Sequence, residues 1–220
     1  MGRTANRPIA HRDISEGRAL AFAFLIAMMS LVIMFVFTNL LATGLTISAI
    51  TFYVFVYTIG LKRRTSQNIV WGGIAGCFPV VIGWSAITGS LSAPALWFFL
   101  LIFFWTPPHF WALAIKYKND YAAAGIPMLP VVATQKNVSI QMWFHTISMV
   151  ATSYVVLISA SFPSVFYIVN TVLNLFFIGL MARMRGEKDQ IDRAAIKIFH
   201  GSITYLTIYS VLLIIGSFYV

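Results

Sequence analysis

Residues 105–130 read WTPPHFWALAIKYKNDYAAAGIPMLP and are the most informative stretch of the chain. The stretch begins inside an apolar run, where Pro107 and Pro108 directly precede His109, and it then enters a polar segment that contains Asp120. A histidine below the membrane surface is energetically costly and usually has a function. Prolines inside a helix free backbone carbonyls and bend the helix, which opens space within a bundle. We therefore expect a functional site around this stretch.

The composition assigns the chain to a lipid environment. Of its 220 residues, 60% are hydrophobic and 10% are charged, and the mean hydropathy is +0.85. A soluble domain of this size does not need so much apolar surface. Because the apolar runs recur along the whole length, we predict an all-α, polytopic transmembrane helical bundle that forms a single domain over residues 1–220. The polar and basic start of the chain predicts no cleavable signal peptide.

Seven apolar runs are long enough to cross about 30 Å of hydrocarbon as helices. The predicted spans are 19–37, 45–61, 70–88, 95–115, 139–160, 162–182 and 199–220.

Charge is confined to one side of these spans. The segments 1–18, 62–69, 116–138 and 183–198 carry 4, 3, 3 and 5 Lys and Arg residues, which are all 15 in the chain. The connections on the opposite side carry no charged side chain. This asymmetry predicts that the basic loops and the N-terminus are cytoplasmic and that the C-terminus lies on the far side. The net charge of +9 therefore reflects topology and is not evidence for nucleic acid.

The same asymmetry favours an anionic ligand, such as a diphosphate, at the cytoplasmic face. Anionic lipid headgroups explain part of the basic excess. They do not explain why Asp120 is the only acid between Glu16 and Glu187.

One face of the fourth span combines several reactive groups. On a helix that continues slightly past its apolar end, Trp105, His109, Lys116 and Asp120 fall within about 60° of one another, and Trp111 lies opposite. The alternative is a structural histidine whose ring is satisfied by a neighbouring carbonyl. We favour a functional His109, because the acid and the prolines cluster with it.

Two basic clusters are candidates for binding phosphate oxygens through cation and amide donors. One lies between the second and third spans, where a stop-transfer signal is the alternative. The other lies in the N-terminal segment, where a solvated tail is the alternative. The residues concerned are Arg3, Arg7, Lys62, Arg63, Arg64 and Asn68.

Other notable residues within the spans have structural interpretations. Cys77 is a small residue in an apolar run, and a single cysteine excludes an intramolecular disulfide. Gly72 and Gly76 form a GxxxG pattern that lets helices approach closely. His145 and His200 lie just inside span ends, where either could ligate an iron porphyrin, but a structural role is preferred.

These features, in this order, resemble the UbiA-type intramembrane prenyltransferases, and specifically the branch that farnesylates heme. The resemblance covers nearly the whole chain. The strings at 106–111 and 120–130 are specific to that branch, whereas the quinone-prenylating branch carries different strings at these positions. The matching strings are RTANRP at 3–8, YTIGLKRRTSQNI at 57–69, GGIAGCFPVVIGW at 72–84, TPPHFW at 106–111 and DYAAAGIPMLP at 120–130.

The resemblance implies a nine-helix fold of which the seven spans here match the third to the ninth. An aspartate-rich NxxxDxxxD motif, which precedes the RTxxRP string in relatives, is absent from these 220 residues. We therefore expect a fragment lacking the first two helices, a start assigned at an internal methionine, or a degenerate relative.

The resemblance also implies a reaction. A farnesyl group would pass from farnesyl diphosphate to the vinyl group of heme B to make heme O, for heme-copper terminal oxidases, with Mg²⁺ as cofactor. The implied catalytic residues are Asp120, which would also bind the metal, Lys62 and Tyr121. The implied diphosphate-binding residues are Arg3, Arg7, Lys62, Arg63, Arg64, Asn68 and Lys116. The implied heme-binding residues are His109, Trp105 and Trp111.

The implied partners are farnesyl diphosphate, heme B and the lipid bilayer, with heme A synthase or oxidase assembly factors as candidate protein partners. The implied location is the bacterial inner membrane or the mitochondrial inner membrane. Three alternatives stay open: a prenyltransferase acting on a quinone precursor, an inactive fragment, and a non-enzymatic heme carrier.

Overall fold

A computed structural model describes residues 7–220, which form helices joined by short turns, without any strand in that range. The elements are α1 (Glu16–Phe37), α2 (Leu40–Thr51) with a π-helical continuation (Phe52–Leu61), α3 (Asn68–Thr88), α4 (Ala93–Lys116), α5 (Lys118–Ala123), α6 (Leu129–Val132), α7 (Gln135–Ser159), α8 (Ser164–Ala182) and α9 (Lys188–Gly216). Seven of these helical segments are long and apolar enough to cross a membrane. The predicted all-α bundle with seven spans is thus confirmed.

All seven spans are shifted from their predicted ends, and the start of the second and of the last span moves most. The second span begins at Leu40 rather than near residue 45, and Asn39 caps it by accepting a hydrogen bond from the backbone N–H of Ala42 at 2.9 Å. The last helix begins at Lys188 rather than near residue 199, so polar residues form its first turns. Hydropathy missed these turns because polar residues can continue a helix beyond the lipid.

The second span changes its backbone hydrogen bonding at Phe52, where the π-helix begins. The backbone N–H of Lys62, for example, donates to the carbonyl of Tyr57 at 2.8 Å, five residues earlier. Tyr53 and Tyr57 lie near each other on this segment, with ring centroids 5.7 Å apart. π-Helical turns are rare and frequently occur at functional sites.

Helix α4 lies at the centre of the bundle, where it packs against α3, α7 and α9. Its second half is buried around the proline pair, from Thr106 to His109. In contrast, α1 packs against α2 and has no buried side chain. An interior position suits the prolines, because surrounding helices can supply the polar contacts that lipid cannot.

A buried network of hydrogen bonds joins α7, α8 and α9. Asn170 and Asn174 each donate to the Ser153 hydroxyl, at 3.1 and 3.0 Å. The Tyr205 hydroxyl donates to Asn174 Oδ1 at 2.9 Å, and the Tyr209 hydroxyl donates to the Ser153 carbonyl at 2.8 Å. Lipid offers no hydrogen-bond partners, so polar side chains between helices hold a membrane bundle together.

Glycines allow α3 to approach its neighbours closely. A Cβ at Gly73 would lie 2.9 Å from the Thr106 methyl group of α4, and a Cβ at Gly72 would lie 2.5 Å from the Tyr57 ring. A Cβ at Gly76 would meet no atom within 4 Å. The GxxxG pattern therefore has one glycine at a packing contact and one that faces open space.

We predict that Gly73→Ala destabilises the protein by about 1 to 3 kcal/mol relative to Gly76→Ala, since only the first adds a methyl group to a filled contact. Both changes replace a helical glycine by alanine, so their effects on helix propensity match. Thermal unfolding of the two variants in detergent measures the difference. Equal melting temperatures would show that Thr106 moves freely to accommodate the methyl group.

Candidate functional site

An apolar cavity of about 610 Å³ lies between the second span, α3 and α4. Its lining is mostly aliphatic and aromatic, with the hydroxyl groups of Tyr53, Tyr57 and Thr106 as polar exceptions. The lining residues are Ala49, Ile50, Tyr53, Val54, Tyr57, Ile69, Gly72, Gly73, Ala75, Gly76, Ile102, Trp105, Thr106 and Phe110. This size and composition are typical of sites for apolar ligands with few polar groups.

The basic loop between the second span and α3 lies beside this cavity. Tyr57 lines the cavity five residues before Lys62, and Ile69 lines it directly after Asn68. The buried Asn68 side chain donates to the carbonyl of Lys62 at 3.0 Å. Asn68 therefore holds the backbone of the loop in place. The sequence analysis predicted Asn68 as a phosphate ligand and did not predict this structural contact.

Within this loop, Lys62 is half-buried, whereas Arg63 and Arg64 are exposed. Gln67 donates to Gln141 of α7 at 2.8 Å, which anchors the end of the loop to the bundle. The loop thus presents cations at the cavity's edge on a restrained backbone.

The segment carrying Asp120 and Tyr121 reaches the same region. Tyr121 is half-buried against the core and lies within electrostatic range of Tyr57, which lines the cavity. Asp120 lies one residue earlier in α5. Thus the structure brings the string that contains Asp120 and Tyr121 near Tyr57 of the second span, although the two segments are more than 50 residues apart.

Aromatic stacking and hydrogen bonds join α4 to α9. The His109 ring stacks between Trp105 and Phe199, at centroid distances of 4.3 and 4.7 Å. The Trp105 indole donates to the carbonyl of Ser202 at 2.8 Å. His109 Nδ1 lies 2.7 Å from the Ser202 hydroxyl oxygen. His109 and Trp105 are therefore held together on the side of α4 that faces α9.

These contacts favour one tautomer of neutral His109. The Ser202 hydroxyl donates its single proton to the carbonyl of Phe199, at 2.6 Å. With this proton engaged, the hydroxyl can accept from Nδ1, so the arrangement favours the imidazole proton on Nδ1. The other nitrogen, Nε2, keeps a lone pair that can accept a proton or bind a metal ion.

Trp111 faces away from this group, as predicted. It is fully buried, and its ring packs edge-on against His145 of α7 with a centroid distance of 5.6 Å. His145 also contacts the rings of Phe103, Phe104 and Phe144. Trp111 and His145 thus belong to the core between α4 and α7, and neither lines the large cavity.

The expected stripe is continuous only to Lys116. Backbone angles of φ −105° and ψ 29° at Tyr117 end α4, and α5 starts anew at Lys118. A calculation for one uninterrupted helix therefore does not place Asp120. Lys116 is exposed and lines a smaller cavity with Phe199 and His200, on the α9 side.

Of the two N-terminal arginines in the predicted set, only Arg7 lies within the described residues, and it does not line the cavity. Arg7 is exposed in a series of turns before α1, and Arg3 lies outside the described residues. Residues 7–220 contain no group of three or more His, Cys, Asp and Glu side chains arranged to bind a metal ion.

Sequence reasoning missed several residues of the site. Tyr53 and Thr106 line the cavity, and Phe199 and Ser202 hold His109. Tyr53 precedes Tyr57 by four residues, and this spacing was a usable signal. Ser202 lies 93 residues after His109, in an ordinary apolar span, so nothing local marked it.

Comparison with known proteins identifies relatives. The UbiA prenyltransferase family profile matches residues 1–203. "Protoheme IX farnesyltransferase" of Parafrankia sp. is 46% identical over 94% of this chain and 67% of its own length. That of Frankia casuarinae is 46% identical over 94% of this chain and 72% of its own length. That of Mycolicibacterium smegmatis is 55% identical over 70% of this chain and 50% of its own length. No solved structure matches the chain.

We predict that Ser202→Ala lowers stability by about 1 to 3 kcal/mol, because it removes the hydroxyl that contacts Nδ1 of the buried His109 ring and donates to the Phe199 carbonyl. Thermal unfolding in detergent measures this loss. Ser217→Ala, which removes an exposed hydroxyl beyond the end of α9, is the matched control. If both variants melt at the same temperature, the Ser202 hydroxyl does not orient the imidazole.

Proposed function

The chain belongs to the UbiA prenyltransferase family, and on this premise we propose that it transfers the farnesyl group of farnesyl diphosphate to a vinyl group of heme B, making heme O. The observation that carries the proposal is the apolar cavity of about 610 Å³ beside a basic loop. A prenyl diphosphate has a long apolar chain and a compact anionic end, and it requires both environments side by side. The names of the relatives support heme as the acceptor.

In this proposal, the prenyl chain lies in the cavity and the diphosphate lies at the basic loop. Lys62, Arg63 and Arg64 would bind the phosphate oxygens through charge-assisted hydrogen bonds, which are stronger than neutral ones. Arg3, Arg7 and Asn68 complete the proposed set. Asn68 would act indirectly, since its amide holds the Lys62 carbonyl.

The chemistry follows from charge separation. The bond between C1 of the farnesyl group and the diphosphate oxygen breaks, and the electron pair leaves with the diphosphate. Cations positioned at the departing diphosphate stabilise that charge. The vinyl group attacks the allylic cation, and water then adds to the resulting cation and releases a proton. The product carries a hydroxyl group and the farnesyl chain.

Cavity residues would protect the allylic cation until the vinyl group attacks it. Aromatic faces attract cations, and Trp105, Tyr53 and Tyr57 line the cavity. The apolar lining excludes water, which would otherwise capture the cation early. We propose that Tyr121, which lies near Tyr57, contributes at the cavity's edge.

Mg²⁺ is part of the proposed reaction. Such an ion is commonly held by one or two carboxylates together with substrate phosphates. Asp120 fits this role, because it is the carboxylate on the segment whose Tyr121 interacts with Tyr57 of the cavity wall. When bound, the ion would neutralise charge on the departing diphosphate.

We propose that His109 contacts the heme through Nε2. Its Nδ1–H is engaged by Ser202, so Nε2 suits iron ligation rather than donation to a propionate. Trp105, which stacks on His109 and also lines the cavity, would connect the heme with the prenyl chain. Trp111 would support α4 from the core and would not touch heme directly.

The setting of the proposed enzyme is a membrane in which residues 1–220 act as one domain. The basic loops and the N-terminus would face the cytoplasm or mitochondrial matrix, because all 15 Lys and Arg residues lie on that side. The membrane would be the bacterial inner membrane or the mitochondrial inner membrane. Heme A synthase and oxidase assembly factors are the proposed partners.

We predict that membranes containing the chain, supplied with farnesyl diphosphate, Mg²⁺ and heme B, form heme O, and that Asp120→Ala abolishes it. Losing the carboxylate removes the proposed metal ligand while the variant still inserts in the membrane. Mass spectrometry of extracted heme measures the product. Asp189→Ala, an exposed change in the first turn of α9, should keep activity. Unchanged heme O formation by Asp120→Ala would remove Asp120 from the mechanism.

We predict that Lys62→Ala raises the KM for farnesyl diphosphate by about tenfold and the KM for heme much less, because Lys62 lies at the diphosphate end of the cavity. Initial rates with each substrate varied in turn give both constants. Lys136→Ala, at an exposed position in the first turn of α7, is the control. Equal increases in the two KM values would mean that the basic loop only orients the chain in the membrane and does not bind the diphosphate.

A further inference from the structure

A polar pocket, separate from the large apolar cavity, lies at the basic end of the bundle. It has a volume of about 340 Å³ and is formed by the end of α4, α5, α6 and the first turns of α7 and α9. Its lining includes three lysines, two amides and one acid. These polar residues are Lys116, Lys118, Lys188, Asn119, Gln135 and Asp192.

The electrostatics of this pocket favour an anion. The lining carries three ammonium groups and one carboxylate, that of Asp192, which is the only acid among the described lining residues. Two long helices also begin there, α7 at Gln135 and α9 at Lys188. Helix N-termini carry partial positive charge, so they add to the attraction of the lysines.

The pocket is positioned along the face of α4 that carries His109. Trp105 and Lys116 differ by eleven residues, which is about 16 Å along a helix and nearly the same angular position. A smaller cavity of about 220 Å³ lies between α9 and the last turns of α4. It is lined by Phe199, which stacks on His109, and it shares Lys116 with the polar pocket.

We propose that this pocket binds the carboxylates of the acceptor, the two propionates of the porphyrin. The inference rests on the proposed function and extends it to the acceptor's binding site. Porphyrin vinyl groups and propionates lie at opposite edges of the ring. A molecule whose propionates reach Lys118 and Lys188 therefore directs its vinyl edge along α4 toward Trp105 and the cavity.

The pocket is distinct from the proposed diphosphate site. It shares no lining residue with the large cavity or with the loop at Lys62–Arg64. Lys116, which the sequence grouped with the diphosphate ligands, belongs to this second pocket instead. Two separate anion sites suit a reaction with two anionic substrates, since each needs its own counter-charges.

The test compares protoheme with its dimethyl ester, which has the same ring and vinyl groups but no carboxylates. The double variant Lys118→Ala/Lys188→Ala removes two exposed cations from the pocket. The matched control, Lys136→Ala/Lys197→Ala, removes two exposed cations that do not line it. Initial rates are measured in neutral phosphatidylcholine vesicles and again with added anionic lipid.

We expect the pocket variant to raise the KM for protoheme by about tenfold and to leave the KM values for the ester and for farnesyl diphosphate unchanged. The control variant should match the unmodified chain. An increase in the KM for farnesyl diphosphate instead would assign the pocket to the diphosphate. An effect of the variant that occurs only with anionic lipid would assign it to lipid phosphate. Either result, or no effect, overturns the proposal.

Binding titrations separate this inference from the proposed reaction. The Soret absorbance of protoheme and of its dimethyl ester, titrated with protein, gives Kd without turnover. Tighter binding of protoheme than of the ester, lost in the pocket variant and kept in the control, supports the propionate site even if no heme O forms. Equal binding of the two porphyrins by the unmodified chain overturns it.

Discussion

The structure depends on the enclosure of α4 by other helices. This helix carries two prolines and a histidine at membrane depth, and lipid would leave their polar groups without partners. Packing against α3, α7 and α9 removes this difficulty. It also gives the faces of α4 different roles: Thr106 lies toward the cavity, and Trp111 lies toward the core with α7. His109 and Trp105 contact Ser202 of α9, and Trp105 also borders the cavity.

Small and polar residues, rather than apolar bulk, hold these neighbours in place. Gly73 lets α3 approach Thr106 closely, and Ser153 joins α7 to α8 and α9 through the asparagines and tyrosines around it. In lipid, apolar side chains gain little by contacting one another instead of acyl chains, so close packing and hydrogen bonds decide which helices pair. The contact at Gly73 also shapes the site, because α3 and α4 are two of the cavity's walls.

The site separates an apolar chamber from two basic regions. Apolar and anionic parts of one substrate need adjacent but different surroundings, and the basic loop beside the cavity meets that need. The polar pocket with Lys118 and Lys188 lies elsewhere at the same end. The basic residues, which by sequence formed one asymmetric excess, thus fall into groups with different neighbours. Membrane topology explains why the basic residues share one side of the bundle. Helix packing explains why some lie at the loop beside the cavity and others line the polar pocket.

The sequence determined the seven spans and the one-sided charge. Span length and loop charge are local properties of the sequence, and they govern how a chain inserts and orients in a bilayer. It also marked residues 105–130, since prolines and a histidine are unusual in an apolar run. It could not place Asp120, because the break at Tyr117 arises where α4 ends and α6 packs back on it. Only the tertiary structure supplied Ser202 and Phe199, which reach His109 from α9 and favour a proton on its Nδ1. Such contacts join distant spans, and no local pattern encodes them.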